Sequence, residues 1–204
     1  MTPRTAYARR RLTVAVLALL LVAGLALVAK LALDVLAGWP PPYTGGGWSA
    51  STPAEEGEIE DGERVSVHDV DHPAIANLDP ELLAAIQRAA ADAAAEDIPF
   101  SVTSGWRSPE YQARLLSEAV RVYGSQEEAR RWVSTPENSR HVSGDAVDIG
   151  DFDATYWLSL HGARYGLCQI YANERWHFEL RSEAVTDGCP EQYLDPTHDP
   201  RMRS

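Results

Sequence analysis

Three observations predict an α+β fold. Capped amphipathic stretches have helical period, short segments alternate like half-buried strands, and the two kinds follow one another without a regular β-α-β repeat. In chain order, Asp79-Pro80-Glu81 opens the first long helix with an N-cap, a proline in the first turn and an acid at the positive end of the dipole. Leu82, Leu83, Ile86, Ala89, Ala90 and Ala93 then recur on one face, so the helix packs on a core. Pro99 stops the following segment, and residues 100–104, Phe-Ser-Val-Thr-Ser, alternate as a short strand. Ser108-Pro109-Glu110 caps a second helix that runs to about Tyr123, turns Leu115, Leu116, Ala119 and Val120 inward and ends at Gly124.

Ser125 and Glu128 have capping-box spacing, which predicts a third, short helix through Trp132. After a polar stretch at 134–140, residues 146–149 read as a strand, 153–165 as a helix, and 169–171 and 176–180 as two further strands.

At 204 residues the chain has room for one compact domain and an appendage, and with 45% hydrophobic residues and six Trp it can bury a core. The first 30 residues hold five basic groups and no acid. The rest carry 13 Lys and Arg against 30 Asp and Glu, a net of −17. So acidic a domain repels phosphates, which argues against a nucleic-acid partner, and its plainest use is solubility.

Residues 12–29 form an 18-residue apolar run without a charge, behind Arg9, Arg10 and Arg11. The length suits a membrane-crossing helix, and the positive-inside rule then exports everything that follows. A cleaved signal peptide competes, because Val35-Leu36-Ala37 resembles a cleavage site, but the run exceeds the ~7–15 residues of a usual signal core. The expectation is a single-pass anchor, with secretion after cleavage as the alternative. Pro40-Pro41-Pro42 and Gly45-Gly46-Gly47 mark a linker. The chain thus divides into a basic tip and anchor at 1–38, a linker at 39–70, a compact domain at 71–195 and a tail at 196–204. Cys168 and Cys189 are the two cysteines, and in an exported domain such a pair reads as a disulfide.

The chemistry gathers in the C-terminal half. Residues 139–148 read Ser-Arg-His-Val-Ser-Gly-Asp-Ala-Val-Asp, residues 174–177 read Glu-Arg-Trp-His, and Gly105-Trp106-Arg107-Ser108 lies upstream. A catalytic zinc takes three nitrogen or oxygen ligands and keeps a fourth place open, a requirement that His141, Asp148 and His177 meet. Gly144 allows His141 and Asp148 to sit on either side of a turn, and His177 must then come from a neighbouring strand. Glu174 suits a general base beside the metal, although strand alternation would put positions 174 and 177 on opposite faces unless the chain bends between them. Taken alone, any one of these residues is more often a surface or hydrogen-bonded group than a ligand. His68, His72, His161 and His198 have no partner at ligand spacing and read as structural or solvated.

Together, S-x-H-x-x-G-x-A-x-D followed by E-x-W-H resembles the signature of the VanY-like D-alanyl-D-alanine carboxypeptidases, relatives of D-Ala-D-Ala dipeptidases and of hedgehog signalling domains. Every signature position is filled, and the resemblance spans roughly residues 75–190. It implies a small antiparallel sheet with flanking helices. It also implies a zinc peptidase with His141, Asp148 and His177 as ligands and Glu174 as the residue that takes the proton from the attacking water. Arg107 would stabilise the oxyanion or hold substrate, Ser139 would fix the substrate's terminal carboxylate, and Gln112 would line the site or lie on the helix surface. Trp106, where the family often has Tyr, would shape the pocket wall. The implied substrate is the peptidoglycan stem peptide, cut before its terminal D-alanine. A dipeptidase or stem-peptide endopeptidase with the same metal site, or a non-catalytic zinc module that binds wall or protein, are the alternatives.

Overall fold

The computed structural model describes residues 51–202. The anchor expected at 12–29 lies outside them, and among the described residues no helix is long and apolar enough to cross a membrane.

A short helix α1 (Pro73–Ala76) is capped by His72, whose Nδ1 accepts from the Ala74 amide, and leads into α2 (Pro80–Ala94). Asp79 caps α2 as expected, its Oδ1 accepting from the amides of Glu81 and Leu82. Leu82, Ala85, Ile86, Ala89, Ala90 and Ala93 form the buried stripe. Strand β1 (Ser101–Ser104) follows, then α3 (Pro109–Tyr123), which starts at the Ser108 cap and ends on Gly124 in the left-handed region. The buried face of α3 differs from the expected one: Gln112 and Ala119 are buried, while Leu115, Leu116 and Val120 are only partly covered.

Ser125 caps α4 (Gln126–Ala129), which stops short of Trp132. Beyond it, the carbonyl of Arg131 accepts from the Asn173 side chain, so the chain turns toward a distant loop instead of continuing the helix. Strand β2 (Ala146–Gly150) and α5 (Phe152–His161) come next. The helix expected through Tyr165 tightens into a 3₁₀ turn at Gly162–Tyr165. A Cβ at Gly162 would lie 2.5 Å from the Leu167 carbonyl oxygen, so the chain closes tightly onto the next strand there. That strand is β3 (Leu167–Gln169), followed by β4 (His177–Leu180) and a short helix α6 (Ala184–Asp187).

Among the described residues the four strands form one antiparallel sheet in the order β1-β2-β4-β3. Strand alternation gives this sheet two chemistries. Val102, Val147, Ile149 and Phe178 face a core completed by α2 and α5 through Leu82, Ile86, Trp157 and Leu158. Burial of each such side chain is worth about 1.5–3 kcal/mol. Asp148, His177 and Glu179 alternate with those residues and so face the other way.

Both ends assigned outside the domain by composition take part in it. Val65 and Val67, from the stretch expected as linker, are each 2% exposed in the core, and Val65 bridges to Val102. At the other end Asp199 is fully buried and Arg201 pairs with Glu179, so the expected tail is folded back. Cys168 and Cys189 are joined in a disulfide.

Candidate metal centre and active site

Strand register brings two of the expected residues together. Asp148 on β2 and His177 on β4 are directly paired, and Asp148 Oδ1 lies 3.2 Å from His177 Nδ1. His141 comes from the turn before β2, which Gly144 completes with a φ of +81°. A Cβ on Gly144 would lie 2.5 Å from the Asn77 carbonyl oxygen, so only glycine lets the turn close against the connection between α1 and α2. His141 Nε2 then stands 3.2 Å from His177 Nδ1 and 3.3 Å from Asp148 Oδ1.

Each imidazole has an acceptor at its other nitrogen. His141 Nδ1–H donates to the Gly105 carbonyl at 2.8 Å, and His177 Nε2–H donates to Glu179 Oε1 at 3.4 Å. Those bonds select the tautomers whose lone pairs, on His141 Nε2 and His177 Nδ1, face each other and the Asp148 carboxylate. Lone pairs so placed repel unless a proton or a metal cation lies among them. Zinc bonds of about 2.0–2.1 Å in a tetrahedron separate neighbouring ligand atoms by about 3.3 Å. The three contacts here match that spacing, all three residues are buried, and the donor set suits zinc.

Burial alone would lower the His177 imidazolium, but hydrogen bonds to Asp148 and Glu179 raise it. His141 is lowered by burial and by the Arg107 charge. Burial opposes ionisation of Asp148, yet the two imidazoles hold its carboxyl far below the usual range.

Glu174 precedes β4 in a turn closed by the His177 amide donating to the Glu174 carbonyl at 3.0 Å. This is the bend that strand alternation demanded. Through it Glu174 Oε2 reaches to 3.8 Å from His177 Nδ1, while Oε1 is buried with no hydrogen-bond partner among the described residues. Burial pushes the Glu174 carboxyl up to about 7, the Asp148 charge adding to the rise while His177 and Arg107 oppose it.

Arg107 reaches the same centre. Its guanidinium donates to Ser104 Oγ (2.7 Å), Gln112 Oε1 (3.2 Å) and Asp148 Oδ2 (3.3 Å), leaving Asp148 Oδ1 to the imidazoles. Gln112 is 1% exposed and also donates to the Ser134 carbonyl at 2.8 Å, so it ties the arginine to the opposite loop and does not lie on the helix surface. A cavity of about 190 Å³ opens over these groups, with Ser139, Trp132, Tyr171 and Trp176 among its walls. A second cavity of about 360 Å³ adjoins it at Ser134, Pro196 and Met202. Trp106 is not brought to the site. Its ring lies against Gly57, where a Cβ would come within 3.1 Å of it, and the tryptophans of the pocket wall are Trp132 and Trp176.

Sequence reasoning passed over Glu179, Tyr171, Asp199 and Arg201. Glu179 is 1% exposed and accepts from Arg181 at 2.5 Å and from Arg201 at 2.8 Å. Tyr171 packs its ring 5.2 Å from that of His177 and donates its hydroxyl to Asp199 at 3.0 Å. The alternation His177-Phe178-Glu179 was a readable sign that Glu179 shares the face of His177.

The family model described as D-alanyl-D-alanine carboxypeptidase, VanY, matches residues 75–183. A D-alanyl-D-alanine carboxypeptidase of Enterococcus faecalis (strain ATCC 700802 / V583) is 29% identical over 125 residues, which cover 46% of this chain and 47% of the relative. The chain thus spans about half the length of that curated relative. A crystal structure of a variant of the vancomycin-resistance D,D-pentapeptidase VanY from a VanB-type cassette, in complex with Zn(II), is similar at a TM-score of 0.50 and 26% identity, covering 54% of this chain and 76% of that one. VanYB in complex with D-alanine-D-alanine shares the fold at a TM-score of 0.51 and 24% identity, over 72% and 85% of the two chains.

Proposed function

The chain belongs to the VanY family of D-alanyl-D-alanine carboxypeptidases, and from that membership we propose that it is a zinc-dependent carboxypeptidase that removes the terminal D-alanine from peptidoglycan stem peptides. The observation that carries the proposal is the convergence of His141 Nε2, His177 Nδ1 and Asp148 Oδ1 beside a buried carboxylate oxygen of Glu174 that has no hydrogen-bond partner among the described residues. The Zn(II) complex of the related VanY variant supports the choice of metal. Zinc held by these three residues would supply a Lewis acid that polarises the scissile carbonyl and lowers the pKa of water toward ~7.

The chain's own groups do the rest. Glu174, whose Oε2 stands 3.8 Å from His177 Nδ1 at the edge of the metal-facing atoms, takes the proton of the attacking water and passes it to the leaving amine. Arg107 offers a cation, held in place by Ser104, Gln112 and Asp148, toward the oxyanion that develops on the carbonyl. Ser139 at the cavity wall takes the substrate's terminal carboxylate. The Cys168–Cys189 bridge, with the basic and then apolar N-terminal sequence, supports action outside the cytoplasm by a membrane-anchored chain. Protease accessibility of the domain in intact cells tests that placement.

Digestion of a pentapeptide stem ending in D-Ala-D-Ala, with and without chelator, tests the activity. Release of free D-alanine that stops on chelation and resumes with zinc is expected. Release of the dipeptide D-Ala-D-Ala would replace the reading with a dipeptide-releasing enzyme. Cleavage of free D-Ala-D-Ala but not of the pentapeptide would make it a dipeptidase, and no cleavage of either at any metal loading would leave a binding module.

A further inference from the structure

The C-terminal residues 195–202 lie beyond the segment matched by the family, which ends at residue 183, and yet they reach the metal centre. Glu179 is the link. Its buried carboxylate receives the Nε2–H of His177 on Oε1, and Arg201 grips both oxygens, NH1 to Oε2 at 2.8 Å and NH2 to Oε1 at 3.4 Å. Arg201 is itself fixed by Asp199, which accepts from its Nε at 3.0 Å, from its NH2 and from its backbone amide at 2.9 Å. Asp199 is fully buried and also accepts the hydroxyl of Tyr171, whose ring packs on that of His177. Two routes therefore run from one short segment to one imidazole, a hydrogen bond through Glu179 and a ring contact through Tyr171.

We infer that Arg201 is a positioning residue for the metal centre: by holding the Glu179 carboxylate it fixes the ring plane of His177 and keeps the proton on Nε2, so that Nδ1 presents its lone pair to the metal. The inference rests on His141, Asp148 and His177 being the zinc ligands. Glu179 is also bound by Arg181, but that contact is to Oε2. On Oε1, the oxygen that faces His177, the arginine contact comes from Arg201. Without Arg201 the carboxylate is held by Arg181 through Oε2 alone, and Oε1 is no longer fixed opposite the imidazole nitrogen whose proton sets the tautomer. A merely structural role, as an anchor for the chain end, would not single out the metal.

The test is zinc affinity of the full chain, read by competition with a chromophoric chelator, for wild type, Arg201→Met and Arg201→Lys, each also in a Glu179→Gln background. Loss of an outer partner of a metal-bound histidine typically weakens metal binding about 10- to 100-fold. Arg201→Met is expected at the lower end of that range, with Arg201→Lys between it and wild type, because lysine keeps the charge but cannot grip Glu179 and Asp199 together. In the Glu179→Gln background the same substitutions should add little. Since Arg201→Met strands a buried Asp199 and can fail to fold, the lysine variant decides in that event: folded, with wild-type zinc affinity, it overturns the inference. So does a loss from Arg201→Met that is equal in both backgrounds, which would make Arg201 an anchor only. A wild type that binds no zinc defeats the zinc reading itself, an outcome visible before any variant is made.

Discussion

Asp148 and His177 face each other across adjacent antiparallel strands, with Oδ1 and Nδ1 3.2 Å apart, while the second oxygen of Asp148 is taken by Arg107. One carboxylate thus joins the metal centre to the cation beside it. Its two oxygens have different tasks, and substitutions on either side should separate them.

On the metal side, wild type should hold about one zinc per chain. His177→Ala removes one corner of the donor triangle and the partner of Glu179, and should leave the purified protein with little zinc by elemental analysis. Full occupancy in that variant would take His177 out of the ligand set.

Glu174→Gln keeps size and shape but removes the oxygen that accepts the proton. Loss of a general base costs about 10²- to 10⁴-fold in rate. Hydrolysis of a D-Ala-D-Ala-terminated peptide should fall at least 100-fold, with zinc content unchanged. A Gln variant as fast as wild type would acquit Glu174 of any part in proton transfer.

Gln112 supports the other side. Gln112→Leu leaves Arg107 with one partner fewer and the partly buried Ser134 carbonyl without its donor, at about 0.5–1.5 kcal/mol for each bond. Urea unfolding should show that loss. Turnover should fall while zinc is retained, because none of the three metal-facing atoms is touched. A variant as stable as wild type would mean that water replaces the side chain.

The Cys168–Cys189 bridge closes a loop of 21 residues that carries Glu174 and His177. A loop of that size constrains the unfolded chain by about 3 kcal/mol in the chain-entropy model. The double Cys→Ser variant should therefore unfold at lower urea, and thiol titration of unfolded, non-reduced wild type should find no free thiol. Two titratable thiols would contradict the bridge.

Acid sensitivity has a local source at Asp195. Burial opposes its ionisation, but Thr197, His198 and Arg131 bond its carboxylate and bring it down to about 2. A carboxyl lower in the folded state than in the unfolded one stabilises the fold above the unfolded value, and that stabilisation disappears as pH falls through the folded one. Between about pH 4 and pH 2, then, wild type should lose stability faster than Asp195→Asn. Equal slopes in urea melts across that window would remove Asp195 as a contributor. Some slope should persist in the variant, because Asp148, Glu179 and Asp199 are also held low.

How much of this was legible in the sequence depended on the range of the interaction. Caps at Asp79, Ser108 and Ser125 are local, and each formed where its spacing said. His141, Gly144 and Asp148 lie within one turn and strand, so their convergence was readable too. The bend between Glu174 and His177 could be demanded by alternation but not seen. Trp106 was misplaced because nothing local says which way the residue before Arg107 turns, and the answer lies in its contact with Gly57, far upstream. Composition misjudged both ends for one reason: Val65 and Val67 among acids, and Arg201 among prolines and aspartates, look solvated until β1 and Glu179, distant in sequence, are beside them.

Gly144 has a further consequence. Its carbonyl accepts from the Asp79 amide at 2.9 Å, and the His141 carbonyl accepts from the Arg107 amide at 3.2 Å, so the turn that holds His141 rests on backbone contributed from before and after β1. The centre is therefore not an exchangeable cassette made of the 139–177 stretch that carries the motifs. Grafted elsewhere, or expressed from residue 80 onward, that stretch would keep every motif residue and lose the floor on which one of them stands. A unit that keeps these contacts reaches back to Val65 and forward to Arg201, a span wider at both ends than the stretch the motifs occupy.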